Sequence, residues 1–294
     1  MDFDDYQDAA AGTDQFAGKK ASKDEGLMIP LLGIAGETGT LLAEFKKKIR
    51  DKESYQGFKD KAEEELGDVL WYLANIATRL DLSLSEIASK NLHKTNERWP
   101  IAGDAPDFFL FFDEGCLPSE RLPRSIDIRI YEIEKGRKAH MQIHPDGKQL
   151  GDPLTDNAYD DDGYRFHDVM HLANMAVLGW SPVMRSLLKL KRKSLPKVDE
   201  VEDGARAIIL EELVVAFVYS NARERCYYDN IKHLDSELLS TIKRIVGHLE
   251  VGNRKTKDWE RAIVKGYAAY RHLLKNREAV LHLDLHNHDL VIVK

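Results

Sequence analysis

Six oxygen-bearing side chains at helical spacing mark two neighbouring segments of this 294-residue chain. They are Glu37, Thr40 and Glu44 in the first segment, and Glu64, Glu65 and Asp68 in the second. Spacings of three, four and seven residues group side chains on one face of a helix, so each segment would present an acidic face. The short loop between the segments favours antiparallel packing, which would let the two faces meet.

Carboxylates gathered at one place repel and desolvate one another unless a cation compensates their charge. Oxygen ligands from Glu and Asp suit Mg²⁺ or Mn²⁺. The spacing therefore predicts a metal site among the five carboxylates of these faces, which belong to Glu37, Glu44, Glu64, Glu65 and Asp68. Ordinary charges on two solvated helix faces are the alternative interpretation.

A third segment carries hydrogen-bond donors at the same kind of spacing. Asn91, Lys94 and Arg98 lie three and four residues apart, again on one helix face. A metal site beside Asn, Lys and Arg donors is what a nucleoside triphosphate needs. The alternative is a helix whose last turns carry cations that complement its dipole.

These three segments resemble the MazG-type nucleoside triphosphate pyrophosphohydrolases, which belong to the all-α NTP pyrophosphatases. The resemblance covers about residues 25–100 and rests on GETG at 36–39, EELGDVLWY at 64–72, NLHK at 91–94 and Arg98. The family signature is an E-x-x-E pair on one helix and an E-x-x-D pair on the next. Glu37, Glu65 and Asp68 match it, whereas Thr40 stands where the family usually has its second Glu.

The resemblance implies hydrolysis of an NTP or dNTP between its α- and β-phosphates, which gives the monophosphate and pyrophosphate. Glu37, Glu65 and Asp68 would be the catalytic carboxylates and would hold Mg²⁺, with Mn²⁺ as an alternative cofactor. The resemblance also implies a homodimer or homotetramer in which helices from two subunits complete a four-helix bundle. Thr40 leaves the number of metal ions open, because Glu44 one turn later could replace the missing Glu.

The phosphate chain of the substrate would be bound by Asn91, Lys94 and Arg98, as the resemblance implies. Trp71 is a candidate for stacking on the base, although a single aromatic residue in a helix is more often part of a core.

A second group of ligand-type residues lies in the C-terminal half. It comprises His167, Asp168 and His171, with Glu211 and Glu212 further along the chain. Two His residues one turn apart are a candidate transition-metal pair, and the run resembles the HD phosphohydrolase motif. The upstream His of that motif would have to be His140 or His144, which fall on a predicted strand, and Asp203 is another candidate for its later acid. A buried, satisfied polar network is the alternative.

The elements that must position these residues are mainly helical. Helices are predicted over 28–49, 62–80 and 83–99, whereas about the first thirty residues lack strong periodicity and give little support to a helix. A β-hairpin is predicted from 126–133 and 139–143, with 108–112 as a candidate third strand. We therefore predict a helical bundle over 1–104, a linker with a β-hairpin over 105–150 and a helical C-terminal domain over 151–294.

Composition restricts the class of protein. The chain has 43 Lys and Arg residues against 50 Asp and Glu residues, and the net charge of -7 argues against a general nucleic-acid binder. No run of about eighteen uncharged apolar residues occurs, so we expect no membrane-spanning helix. Two cysteines exclude a disulfide scaffold, and the acidic N-terminus is not a secretory signal, so a cytoplasmic location is expected.

Two other functions compete with NTP pyrophosphohydrolysis at this stage. In one, the HD-like C-terminal half carries out the chemistry and the N-terminal site is degenerate because of Thr40. In the other, the protein is a nucleotide sensor that binds an NTP and turns it over slowly.

Overall fold

The computed structural model describes residues 1–15, 23–98, 111–135, 138–145 and 147–293. It divides into two compact units, Met1–Asn96 and Glu97–Lys294. Ten α-helices and one five-stranded antiparallel sheet make up the regular structure of the described residues, which confirms the mainly α fold class. The predicted division at residues 104 and 150 stays a prediction.

The first unit contains four helices. They are α1 (Phe3–Gly12), α2 (Lys23–Asp51), α3 (Phe58–Arg79) and α4 (Leu84–Arg98). The last three were predicted, and Ser83 begins α4 as expected by accepting a hydrogen bond from the backbone N–H of Glu86 at 3.2 Å. The weak periodicity before residue 28 gave little support to α1 or to the early start of α2. The polar helix α1 is fixed by a capping box between Asp2 and Asp5, and α2 begins early enough to place Pro30 inside it.

A small core joins α1 to α3 and to the first turn of α4. Its buried members are Ala10, Ala74, Ala77 and Leu84. Much of the apolar surface of α2 is left exposed, with Leu32 64% and Leu42 63% accessible. So small a core explains why these helices have apolar side chains left over for another partner.

The segment Gly26–Ser54, which includes most of α2, is long and apolar enough to span a membrane by length and composition, and 6% of its apolar 18-residue window is buried. The expectation based on an uncharged apolar run was therefore too strict. This segment carries Glu37 and Glu44, and an exposed apolar helix face meets the same criterion without a membrane.

The second unit contains the sheet, in the order β3-β2-β1-β4-β5. The strands are β1 (Ser125–Lys135), β2 (Lys138–Pro145), β3 (Leu150–Leu154), β4 (Glu278–Asp284) and β5 (Asp289–Ile292). The predicted hairpin is confirmed, since Ile130 pairs with Ile143 in an antiparallel register. The predicted strand over 108–112 is wrong where the structure describes it, because residue 112 lies in a turn; residues 108–110 lie outside the described part.

Six helices complete the second unit. They are α5 (Asp168–Ala173), α6 (Pro182–Leu187), α7 (Pro196–Val201), α8 (Ala205–Arg223), α9 (Ser236–Val246) and α10 (Thr256–Asn276). A π-helical turn over Asn174–Leu178 extends α5 and ends at Gly179, whose φ of 64° is readily adopted only by glycine. The Ser181 hydroxyl then caps α6 by accepting a hydrogen bond from Met184 N. These elements enclose one large apolar core and position the residues of α5 against α8.

Two arginines in the basic stretch near residue 190 are buried. Arg192 donates to both Asp203 and Glu250 at 2.7 Å, and Arg185 donates to Asp113 at 2.8 Å. Carboxylates from distant parts of the chain therefore neutralise them.

Candidate active site

The register between α2 and α3 is set where Gly33 lies against Tyr72. A Cβ added to Gly33 would lie 2.3 Å from atoms of the Tyr72 ring, so only glycine allows this approach. Glu37 lies one turn after Gly33, and Asp68 lies one turn before Tyr72. The two helices therefore run antiparallel, and their acidic faces meet as the sequence predicts.

Three of the predicted ligands come together at this interface. Carboxylate oxygens of Glu37, Glu65 and Asp68 all lie within 4.8 Å of one another. Glu65 is buried, Glu37 is half-buried and Asp68 is exposed, so the cluster opens to solvent on one side. Burial raises the pKa of Glu65, and so do the neighbouring carboxyls of Glu37, Glu64 and Asp68. The cluster is thus a site of uncompensated negative charge.

The remaining oxygen-bearing residues of the two helices have other neighbours. Glu44 is buried and accepts hydrogen bonds from Lys47 at 2.5 Å and from the Tyr55 hydroxyl, which hold its pKa below the ordinary value. Glu64 accepts from Lys61 at 2.7 Å and is exposed. Ligation of a metal by either carboxylate stays a prediction, and it would require each to leave a cationic partner.

The hydroxyl of Thr40 donates to the backbone oxygen of Gly36 at 3.3 Å, within its own helix. The side chain is exposed. Thr40 stands at the position where the signature usually has its second Glu. The cluster therefore has three carboxylates, whereas the signature has four.

The predicted phosphate-binding residues lie on α4. Asn91 and Lys94 are exposed there, while the side chain of Arg98 lies outside the described part of the chain. Beyond its first turn, α4 makes no extensive contact with α2 or α3 among the described residues, and Leu92 is 61% accessible. The extensive contacts among the described residues of one chain therefore do not join α4 to the acidic faces of α2 and α3.

Two aromatic residues border the acidic helices. The indole N–H of Trp71 donates to the Thr13 hydroxyl at 2.8 Å, and its ring packs on the small core, so base stacking by Trp71 stays a prediction. Tyr6 of α1 was not identified from sequence. Burial raises its pKa, and so does the charge of Asp68, which places the phenol near the cluster.

The C-terminal residues predicted as a second site also come together. Ligand atoms of His167, Asp168 and His171 lie within 4.8 Å of one another. His171 lies between two carboxylates of α8, with Nδ1 2.9 Å from Glu211 and Nε2 3.5 Å from Glu212. Burial opposes a charge on His171, but the two carboxylates outweigh it and raise the pKa of the ring to about 10.

The other residues that were predicted to complete an HD motif lie on other elements or have other partners. His140 and His144 lie on β2, and His144 Nε2 is 3.1 Å from the Tyr131 hydroxyl. Asp203 is bound by Arg192. The C-terminal cluster is therefore built from α5 and α8, without the upstream His that the HD motif requires.

Two protein-family models match different parts of the chain, which correspond approximately to the two units. A model described as the MazG C-terminal domain matches residues 108–294, and a model described as the MazG nucleotide pyrophosphohydrolase domain matches residues 31–102. The chain belongs to the MazG family. This confirms the resemblance of the N-terminal helices and assigns the C-terminal unit to a domain that accompanies them. The MazG domain is that of a hydrolase acting on nucleotides, and it contains all the predicted acidic residues of α2 and α3.

Two relatives each match about a third of this MazG protein. The "Gene 37 protein" of Mycobacterium phage L5 is 39% identical over 101 residues, which are 33% of this chain and 89% of the relative. The "Uncharacterized protein YpjD" of Bacillus subtilis (strain 168) is 35% identical over 96 residues, which are 31% of this chain and 84% of the relative. No solved structure matches the chain.

Proposed function

We propose that this MazG protein hydrolyses a nucleoside triphosphate, either NTP or dNTP, to the monophosphate and pyrophosphate in a reaction that requires Mg²⁺. The main observation in support is that carboxylate oxygens of Glu37, Glu65 and Asp68 lie within 4.8 Å of one another at the α2–α3 interface. Mn²⁺ has the same preference for oxygen ligands and is expected to substitute.

The donor set fits such a cation. All three side chains offer carboxylate oxygens, the ligands that Mg²⁺ prefers, and the raised pKa of Glu65 reflects negative charge that a cation would compensate. When bound, a divalent cation neutralises phosphate oxygens and makes an attacking water more acidic.

Each carboxylate has a different position in the cluster, and this suggests a division of roles. Asp68 and Glu37 reach the solvent side, where a triphosphate could approach. Glu65 is buried, and its raised pKa makes it the carboxylate best suited to accept a proton from the attacking water.

The positive charge that the triphosphate needs would come from a second copy of the chain. Beyond its first turn, the helix that carries Lys94 and Asn91 makes no extensive contact with α2 or α3 among the residues that the structure describes. The exposed apolar face of α2, with Leu32 and Leu42, provides a surface for such an assembly. We therefore favour a homodimer or homotetramer in which α4 of one chain serves the carboxylates of another.

The catalytic proposal is tested with Asp68→Asn, which removes one charge and keeps the side-chain shape. We expect Mg²⁺-dependent pyrophosphate release from a panel of NTPs and dNTPs to be abolished. Asp60→Asn, on an exposed position of the same helix, is the matched control and should retain the parent rate. Equal rates in the parent and the Asp68 variant would overturn the proposal.

The assembly is tested with Leu42→Glu, because a charge on an apolar interface opposes association. We expect light scattering after gel filtration to show a shift from oligomer to monomer and a parallel loss of turnover. Ile209→Glu places the same charge at a position of α8 that is 64% accessible and should change neither property. A parent chain that is monomeric and fully active would contradict the proposal.

The same assays decide between this function and its rivals. Tight nucleotide binding without turnover would favour the sensor. Turnover that survives Asp68→Asn but is lost in Asp168→Asn would favour chemistry in the C-terminal unit.

A further inference from the structure

The C-terminal unit holds a second set of ligand-type side chains, separate in sequence and in chemistry from the carboxylates of α2 and α3. His167, Asp168 and His171 lie at the start of α5, each with a ligand atom within 4.8 Å of the others. Glu212 of α8 adds Oε2 at 3.5 Å from His171 Nε2. Two imidazoles and two carboxylates thus face one another across α5 and α8.

His171 is fully buried between two carboxylates of α8. Its Nδ1 lies 2.9 Å from Glu211 and its Nε2 lies 3.5 Å from Glu212, so both ring nitrogens face an acidic partner. Neither contact is a well-aligned hydrogen bond within the part of the chain that the structure describes. A divalent cation at Nε2 would replace the ring proton that faces Glu212 and would be held by the same carboxylate.

In both His rings an acceptor lies behind Nδ1, which leaves Nε2 as the nitrogen that a cation could bind. His167 Nδ1 lies 2.8 Å from the backbone oxygen of Tyr164, an acceptor that requires a proton on Nδ1. Its Nε2 lies 3.3 Å from Asp168 Oδ1. His171 Nδ1 faces Glu211 at 2.9 Å, so Nδ1 would keep its proton when a cation replaces the proton on Nε2. A carbonyl or carboxylate behind Nδ1 is the usual arrangement of a His that ligates a metal through Nε2.

Glu211 is itself held rigidly, so it can orient His171. Its Oε2 accepts hydrogen bonds from the Ser181 hydroxyl and from Val183 N, both at 3.0 Å, and its Oε1 accepts from Asn174 at 3.2 Å. Because these donors already occupy Glu211, the more exposed Glu212 is the carboxylate of α8 that is free to reach a cation.

We propose that His167, Asp168, His171 and Glu212 bind one divalent transition-metal ion of the Zn²⁺ class, with Glu211 as the positioning residue behind His171. Mixed imidazole and carboxylate donors suit Zn²⁺ and its neighbours, whereas Mg²⁺ prefers oxygen alone. The two carboxylate charges balance a dication. Four protein ligands are typical of a structural site, so the ion would link the start of α5 to α8.

The test uses the full-length chain after chelation and dialysis, in excess Mg²⁺ so that the carboxylates of α2 and α3 are occupied. Zn²⁺ is titrated against a chromophoric chelator, and Co²⁺ is added separately as a spectroscopic probe. We expect one equivalent of Zn²⁺ to bind, the Co²⁺ spectrum to show imidazole ligation, and Zn²⁺ to raise the melting temperature.

Variants locate the site. His167→Asn and Glu212→Gln should each weaken Zn²⁺ binding by at least about tenfold and remove the thermal shift, and Glu211→Gln should weaken it by roughly 10–100-fold. Glu212 is partly exposed, so its substitution is expected to leave the fold intact. The exposed residues His248 and Glu224 provide matched controls, as His248→Asn and Glu224→Gln.

Asp68→Asn should leave the Zn²⁺ equivalent unchanged, which separates this site from the proposed catalytic centre. The proposal is overturned if no Zn²⁺ equivalent binds under these conditions. It is also overturned if His167→Asn and Glu212→Gln bind Zn²⁺ as tightly as the control variants do.

Discussion

Gly33 and Tyr72 meet so closely across the α2–α3 interface that a Cβ at position 33 would lie 2.3 Å from the tyrosine ring. This contact fixes the register that brings Glu37 opposite Asp68. The carboxylate cluster therefore depends on a glycine that itself has no chemistry.

Gly33→Ala tests this dependence. The added methyl group must displace the Tyr72 ring or separate the helices, and overpacking of this kind costs about 1–3 kcal/mol. We expect a lower melting temperature and a large loss of nucleotide turnover. Gly39→Ala is the matched control, because nothing lies within 4 Å of its added Cβ and alanine favours a helix. If both variants behave alike, the contact does not set the register.

The raised pKa of Glu65 makes Mg²⁺ binding depend on pH. A proton held by the Glu37–Glu65 pair must leave when a cation binds, so Mg²⁺ affinity should fall as the pH is lowered towards the raised pKa. Isothermal titration in two buffers of different ionisation enthalpy should reveal the released proton. Glu65→Gln should bind Mg²⁺ weakly and release no proton, whereas Glu63→Gln, at an exposed position of α3, should behave as the parent does.

The raised pKa of Glu65 also predicts how the stability of the metal-free protein changes with pH. Between the ordinary and the raised pKa of Glu65, the folded chain holds more protons than the unfolded chain, so its free energy of unfolding decreases as the pH rises. Thermal denaturation in a chelator should show this decrease in the parent and a smaller one in Glu65→Gln. A decrease of equal size in both would contradict the assignment.

Thr40→Glu tests whether the second Glu position of the signature is vacant. Glu44 is held by Lys47 and Tyr55, so we expect the new carboxylate to tighten Mg²⁺ binding or raise the rate. Thr38→Glu adds the same charge at another exposed position of α2 and should not. If Thr40→Glu lowers activity while Glu44→Gln costs as much as Asp68→Asn, then Glu44 already fills the position.

The buried ion network of the second unit predicts a stability defect rather than a catalytic one. Asp203 and Arg192 are both fully buried, and removing the charge of Asp203 leaves Arg192 with Glu250 as its remaining acidic partner. Asp203→Asn should lower the free energy of unfolding by up to about 3–5 kcal/mol, measured by chemical denaturation. Glu200→Gln, whose side chain is 76% accessible, should have little effect. A loss below about 1 kcal/mol in Asp203→Asn would show that the network is not structural.

The sequence predicts much of the site, because spacing decides which side chains share a helix face. Glu37, Glu65 and Asp68 could be placed together from spacing and a short loop alone. Spacing could not show that these three carboxylates, and not Glu44 or Glu64, form the cluster. That distinction depends on the hydrogen bonds that Lys47, Tyr55 and Lys61 donate to Glu44 and Glu64.

The features that the sequence failed to predict depend on contacts between distant parts of the chain. Helix α1 is polar along its length and is held by its cap and by a few contacts with α3, so its periodicity is weak. Arg185 and Arg192 resemble surface residues in sequence, and each has an acidic partner that lies far away along the chain, Asp113 and Glu250 respectively. Local patterns cannot reveal such long-range pairs.

The position of the cleaved bond tests the central claim most directly. The parent chain is incubated with Mg²⁺ and its preferred triphosphate, and the products are identified by phosphorus NMR. The account predicts nucleoside monophosphate and pyrophosphate in equal amounts, and neither product from Asp68→Asn. Diphosphate with inorganic phosphate, or nucleoside with triphosphate, would contradict it.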